Sequence, residues 1–285
     1  MKKLERLKKL LNENYNLKRI RHNYSPKTNE ELIELVDKMI NEYGDNADLN
    51  KIDVSNIKGF EKVFYNKEKF NGDVSEWNVS NGLDFVHMFY GCDLFNRDLS
   101  KWDVSNGVEF GGMFFGCGYF DSNLSKWDVS NGEKFYFMFE DCYRFNSDLS
   151  EWDVFNGTDF SGMFKYCNKF QSDLSYWIVT KASSFKEMFC LCERFNDDLS
   201  KWDVSNGKEF SGMFCKCKKF NADLSRWNVS NGKYFSYMFY EARLFNADLS
   251  NWNVSNAKTW FEFAKDSLLE KYPERIPEKF RSDYL

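Results

Sequence analysis

The chain has 285 residues, a net charge of −5 and 19% aromatic residues, with a mean hydropathy of −0.63. Its apolar character is therefore concentrated in a few large side chains, and the acidic balance gives no general case for nucleic-acid binding. No run of about 18 apolar residues marks a membrane span, and eight cysteines without an export signal point to free thiols in a reducing compartment.

The charge is uneven. Residues 1–27 hold nine Lys/Arg against two Asp/Glu, a local +7, so the remainder carries −12. Residues 1–22 place Leu4, Leu7, Leu10 and Leu11 at helical spacing and are expected to form a short basic helix or a frayed tail leaning on the first coil. An electrostatic arm made of Lys2, Lys3, Lys8, Lys9, Lys18, Arg19 and Arg21, for a membrane surface or nucleic acid, is the alternative. The segment has neither an apolar h-region nor a small-residue cleavage site, so it does not read as a signal peptide. A cytoplasmic location is the expectation, with surface or virion the alternative.

The next segment is a firmer helix. Thr28 and Glu31 form a capping box, Leu32, Ile33, Leu35, Val36, Met39, Ile40 and Tyr43 keep helical spacing, and Gly44 stands at the C-terminal cap. An amphipathic helix here covers the apolar end of the repeat array that begins just after it.

That array has a period of 25 residues without slippage, marked by Trp77, Trp102, Trp127, Trp152, Trp177, Trp202, Trp227 and Trp252. A fixed period of this length predicts a solenoid. The first copy, from Asp48, is degenerate, with Ile52 for Trp, Ile57 for Gly, Val63 for Met and Lys67 for Cys. Seven regular copies run over 73–247, and a ninth begins at Asp248 and decays at Trp260, Phe263 and Ala264. The expected organisation is a basic segment and capping helix over 1–47, a right-curving array of about nine coils over 48–264 and a C-terminal cap over 265–285.

Within 98–122, Leu99, Trp102 and Val104 read as a short strand, while Phe110, Met113, Phe114 and Cys117 fall at i, i+3, i+4, i+7 and predict about two turns of helix. Eight inward columns result: Leu, Trp, Val, Phe, Met, Phe, Cys, Phe. Alanine at 242 in the cysteine column (Cys92, Cys117, Cys142, Cys167, Cys192, Cys217) marks a small buried slot. Cys190 and Cys215 add two C-x-C pairs, Cys190–Cys192 and Cys215–Cys217. Four thiols would suit zinc, but residues two apart on a helix point about 200° apart, so no metal site is expected. Ile57, Ala182 and Ala257 share the column of Gly82, Gly107 and Gly132, which reads as a close-packing site and not a left-handed bend.

The unit FNxDLSxWDVSNGxxFxxMFxxC resembles the repeat of the BspA-like leucine-rich-repeat family, the mycoplasma-type surface lipoprotein repeats, over about 48–264. The resemblance implies a leucine-rich-repeat-like solenoid and roles in surface adhesion or protein binding. The chain departs from the family pattern in one systematic step, with Gly107 and Phe110 where the family has Val and Met. That paired exchange conserves volume, so Gly107→Val alone is expected to overpack the core.

Two histidines in separate regions, His22 and His87, build no catalytic constellation, and neither a phosphate-cradling glycine loop nor H-E-x-x-H is present. No catalysis and no cofactor are expected. The expected outward face of the strand carries Lys101, Asp103 and Ser105 in one coil and Lys126, Asp128 and Ser130 in the next. It breaks at Phe155, Tyr176, Ile178, Thr180 and Lys181, which predicts an exposed apolar patch. The reading is thus a non-catalytic scaffold that binds a protein partner there, with a self-associating subunit of a particle, filament or surface layer as the alternative.

Overall fold

A computed structural model describes residues 22–284. The basic segment read over 1–22 lies, but for His22, outside the described residues. Helix α1 spans Asn29–Tyr43. Thr28 Oγ1 accepts from the Glu31 N–H at 3.2 Å, and Glu31 reaches back to the Lys27 N–H at 2.7 Å. Gly44, at φ 84°, closes the helix by donating to the Ile40 carbonyl. Leu32, Val36 and Met39 share one core with Leu49, Ile52 and Phe60 of the first coil. Asn29 Nδ2 donates to the Glu61 carbonyl at 2.9 Å, fixing α1 on that coil.

The coils themselves are built from turns. In 98–122 the N–H groups of Trp102, Gly107, Met113, Cys117 and Phe120 close onto the carbonyls of Leu99, Val104, Phe110, Phe114 and Cys117, each three residues back. Every inward column therefore sits at the first or last position of a β-turn, and the two central residues of each turn lie outside these columns. Gly112 (φ 56°) and Gly116 (φ 70°) are the third residues of the Phe110–Met113 and Phe114–Cys117 turns, and positive φ at that position is the signature of type II turns. Phe137 and Asp141 hold the same conformation one coil on, at φ 54° and 61°.

Both predicted elements of the coil are corrected by this geometry. Among the described residues no α-helix occurs in the coils, and no strand exceeds a single bridge. The i, i+3, i+4, i+7 spacing arises because Phe110 and Met113 end one turn and Phe114 and Cys117 end the next. A column of parallel bridges lies just before this segment, from Gly59 through Asp84 and Glu109 to Thr259, and two further bridges join Tyr24 to Ile52 and Asp48 to Asp73. Inter-coil backbone pairing continues into it: Phe110, Gly112, Phe114 and Gly116 donate to Lys134, Tyr136, Met138 and Glu140 at 2.7–2.9 Å. The Trp–Val stretch, expected to be the strand, makes no inter-coil backbone bond among those described.

Side chains join the coils there instead. Trp127 Nε1 donates to the Leu99 carbonyl at 2.9 Å and Asn131 Nδ2 to the Ser105 carbonyl at 2.7 Å. The Leu124 N–H finds Ser147 Oγ at 2.9 Å, and the Asn146 N–H finds Asp121 Oδ1 at 2.9 Å. Inside, like rings stack on like: Trp102 on Trp127 at 6.5 Å, Phe110 on Phe135 at 5.6 Å and Phe114 on Phe139 at 5.7 Å between centroids. All eight columns are buried. Beyond the last coil, 3₁₀ turns at Leu269–Lys271, Pro273–Arg275 and Glu278–Asp283 bring Leu269, Ile276 and Phe280 over its end. Phe280 stacks on Trp260 at 5.1 Å.

The glycine column is a packing feature. Gly107 is not at positive φ, and a Cβ there would lie 2.4 Å from Phe110 Cζ and 3.0 Å from the Val104 carbonyl oxygen. Where Ala182 fills the slot, the Phe160–Phe185 step opens to 6.2 Å, against 5.4 Å for Phe135–Phe160. Gly107→Val is expected to destabilise the protein by about 1–3 kcal/mol through overpacking, and Gly107→Val/Phe110→Met to recover most of the loss. Chemical denaturation of the two variants beside wild type checks both expectations, and equal stabilities for the single and double variants would refute the paired exchange.

Candidate functional site

The outward wall at the Leu–Trp and Val–Gly turns is shaped by aspartates. Asp98 Oδ1 accepts the Ser100 N–H at 2.9 Å and Asp103 Oδ1 accepts the Ser105 N–H at 3.1 Å. Such Asx turns orient the chain locally without secondary structure. The serine hydrogen bonds hold the Asp98, Asp148, Asp198 and Asp248 carboxyls below the ordinary carboxylate value.

The sequence-predicted residues lie on this wall. Phe155 is 43% exposed, Tyr176 73% and Ile178 55%, while Thr180 is half-buried and Lys181 exposed. Phe155 and Lys181 meet directly, with Lys181 Nζ 4.3 Å from the Phe155 ring centroid and 2.6 Å from Asn156 Oδ1. Tyr176 is met by a residue outside the predicted set, Lys201, whose Nζ lies 5.5 Å from the ring centroid. The patch is thus not a plain apolar surface on a sheet. Its two rings are each approached by a lysine ammonium, and Ile178 stands in the same coil with no such partner. A surface that pairs aromatic faces with cations and leaves one aliphatic side chain bare favours acidic and apolar groups together.

A second outward surface, not predicted, lies over the Phe–Met and Phe–Cys turns. The column after the second Phe of each coil runs Tyr65, Tyr90, Phe115, Glu140, Lys165, Cys190, Cys215, Tyr240, Lys265. Tyr65, Tyr90 and Phe115 stack in succession at 4.8 and 4.4 Å. They border a cleft of about 570 Å³ whose other side is Glu140, Lys165 and Glu187. Gly111 and Gly112 admit neighbouring rings at this coil: a Cβ on Gly111 would sit 2.2 Å from Tyr136 Cζ, and one on Gly112 2.4 Å from His87 Cδ2.

Lys165 Nζ lies 2.6 Å from Glu187 Oε2 and 3.2 Å from Glu140 Oε1, so one ammonium serves carboxylates in the coils on either side. Burial holds the Glu140 carboxyl above its ordinary value despite Lys165. Burial opposes the Lys165 ammonium, but Glu187 and Glu140 outweigh it and raise its pKa. His87 is pushed down by burial, and its Nδ1 has no hydrogen-bond partner. The signal for this surface was present in the sequence, as a column whose chemistry changes from copy to copy.

The C-x-C pairs do not converge, though the helical reason is replaced by another. Cys192 and Cys217 turn into the core, where each Sγ donates to the carbonyl of Phe164 or Phe189 at 2.8 Å. Cys190 and Cys215 are central turn residues outside that ladder.

Stacked 25-residue coils, ring pillars and turn corners define a tandem-repeat protein. The family described as "Mycoplasma protein of unknown function, DUF285" matches at residues 34–131, 108–199 and 177–271. The chain belongs to this family. No curated protein and no solved structure matches it. Among the described residues no helix is long and apolar enough to cross a membrane.

The aspartate turns generate a pH expectation. Carboxyls with a folded pKa below the unfolded one stabilise the fold above the unfolded value, and that contribution is lost as pH falls through the folded value. Asn123 makes the same turn, accepting the Ser125 N–H at 2.9 Å, and does not titrate. The quadruple variant Asp98→Asn/Asp148→Asn/Asp198→Asn/Asp248→Asn is expected to match wild type at pH 7 within about 0.5 kcal/mol per site. Its melting temperature should fall less steeply from about pH 5 to about pH 3. Glu140, Asp141 and Asp197, whose pKa values burial raises, act with the opposite sign and are unchanged by these substitutions. Parallel acid limbs in the two melting profiles would refute the assignment.

Proposed function

We propose that the chain is a non-catalytic solenoid scaffold whose wall at Phe155, Tyr176, Ile178, Thr180 and Lys181 docks a protein partner. The solenoid is leucine-rich-repeat-like in its stacked coils and long bridge column, with type II turns in place of a helix. The observation that carries the reading is the exposure of Tyr176 and Ile178, at 73% and 55%, in columns where neighbouring coils place Glu151 or Lys201 and Asp153 or Asp203. Isolated surface apolar residues are ordinary. Here three large ones depart from a strict polar pattern within two successive coils.

A partner with an apolar side chain for Ile178 and carboxylates for Lys181 and Lys201 fits the chemistry of the wall. A non-catalytic role agrees with the internal pairing of Lys165 with both Glu140 and Glu187, which engages that ammonium from two sides.

Light scattering and affinity capture from the source organism test the reading together. Wild type is expected to be monomeric and to capture a partner that Phe155→Ser/Ile178→Asp loses, without a change in stability beyond about 0.5 kcal/mol per site. A wild-type oligomer dissolved by the double variant would instead establish self-association. A monomer whose captured proteins are the same with and without the patch would remove both.

A further inference from the structure

The eight cysteines fall into two chemical environments. Cys92, Cys117, Cys142, Cys167, Cys192 and Cys217 are fully buried, and each Sγ donates to a phenylalanine carbonyl of the preceding coil. Burial raises the pKa of these thiols, which leaves them closed to solution chemistry.

Cys190 and Cys215 are placed otherwise. They are the second residues of the Phe189–Cys192 and Phe214–Cys217 turns, one period apart. Cys190 is 7% exposed, and Cys215 is half-buried. The same column holds Lys165 on one side and Tyr240 on the other, so the thiols form a short recess between longer side chains. The backbones beneath them pair in register, Phe189 N–H to the Met213 carbonyl at 3.0 Å and Leu191 N–H to the Cys215 carbonyl at 2.8 Å. Paired strands run about 4.8 Å apart, inside the Cα separation of about 4.4–6.8 Å that a disulfide spans. The neighbouring Cys190 thiol and the adjacent Lys216 hold Cys215 below the ordinary thiol value, while Cys215 and burial raise Cys190. Cys215 is also the less buried of the two.

We propose that Cys215 is a site of thiol–disulfide exchange and that Cys190 resolves it into a disulfide linking two successive coils. The oxidant is a small disulfide of the glutathione class. Cys215 thiolate attacks one of its sulfurs, the glutathione S–S bond breaks, and one glutathione leaves as thiolate. Cys190 then loses its proton and attacks the Cys215 sulfur of the mixed disulfide, releasing the second glutathione. Two protein S–H bonds are replaced by one S–S bond, and the oxidised glutathione gains two electrons and two protons to become two thiols.

Exposure of the full chain to oxidised glutathione near pH 8, followed by mass spectrometry without reductant, tests this. Wild type is expected to lose two hydrogens, with peptide mapping joining Cys190 to Cys215. Cys190→Ser should accumulate one glutathione adduct on Cys215, and Cys215→Ser should gain neither product. Alkylation of native protein should modify Cys215 about tenfold or more faster than the six ladder thiols, which react only after unfolding. The wild-type map alone decides the matter if either variant fails to fold. No disulfide, a disulfide among the ladder cysteines, or an adduct that does not require Cys215 would each overturn the proposal.

Discussion

Between Phe110 and Gly116 the backbone N–H groups alternate in destination, and the rest of the array depends on that alternation. Phe110, Gly112, Phe114 and Gly116 donate to the next coil, while Met113, Phe115 and Cys117 donate three residues back within their own. From Gly112 to Cys117 each residue thus either joins coils or closes a turn. The arrangement requires positive φ once in each of two successive turns, a conformation that costs an L-residue roughly 1–2 kcal/mol. Phe137, Tyr166, Leu191 and Tyr237 all adopt it, so inter-coil pairing prevails over the local preference. A one-residue shift within this segment would put donors opposite donors, so the pairing fixes its register from coil to coil.

On the remaining wall the cohesion passes to side chains, and this explains which residues recur. Tryptophan fills the core and also carries an N–H to a leucine carbonyl of the preceding coil; cysteine fills its small slot and reaches a phenylalanine carbonyl. Phenylalanine at the first position or serine at the second would match much of the apolar volume or the polarity, but not both. A buried carbonyl left without its donor costs about 1–3 kcal/mol, repeated at every coil. Asparagine in the turn after valine adds a solvent-exposed link of the same form, through Nδ2 to a serine carbonyl. Where alanine replaces cysteine at 242, Phe214 loses that donor near the end of the stack.

The columns were legible because burial is periodic and copies can be compared within one chain. The capping helix was legible because Thr28, Glu31 and Gly44 are local signals, and each makes the hydrogen bond it implies. The elements inside the coil were not. Two adjoining turns with apolar corners place Phe110, Met113, Phe114 and Cys117 at the same intervals as a helix face, and periodicity cannot separate the two. The glycines at 112 and 116 hinted at left-handed positions, but Phe137 and Asp141 at the same places conceal them. For the wall, the sequence located Phe155, Tyr176, Ile178, Thr180 and Lys181, yet Lys201 was missed, and the placing of both lysines over rings of the preceding coil emerges only from the stacking. The Glu140–Lys165–Glu187 cluster was missed for the same reason: its members are 22 to 25 residues apart and meet only across coil boundaries.

Turn corners and turn centres therefore divide the labour of the chain. Corners are answerable to two neighbouring coils at once, so a change there must be matched nearby, as Ala182 is matched by a displaced Phe185 ring. Centres are answerable to one stacked column, and a column tolerates new chemistry wherever two or three successive members agree. Three aromatic rings agree at Tyr65, Tyr90 and Phe115, and two thiols agree at Cys190 and Cys215. Two glutamates agree with the lysine between them. The same residue type then has opposite fates by position: cysteine at a corner is held to a carbonyl and sealed, whereas cysteine at a centre faces its own kind near solvent. In such an array, residue identity says little about role until the turn position is known. Specialised chemistry is to be sought where a central column changes character over adjacent coils, because central side chains meet those of the coils stacked on either side.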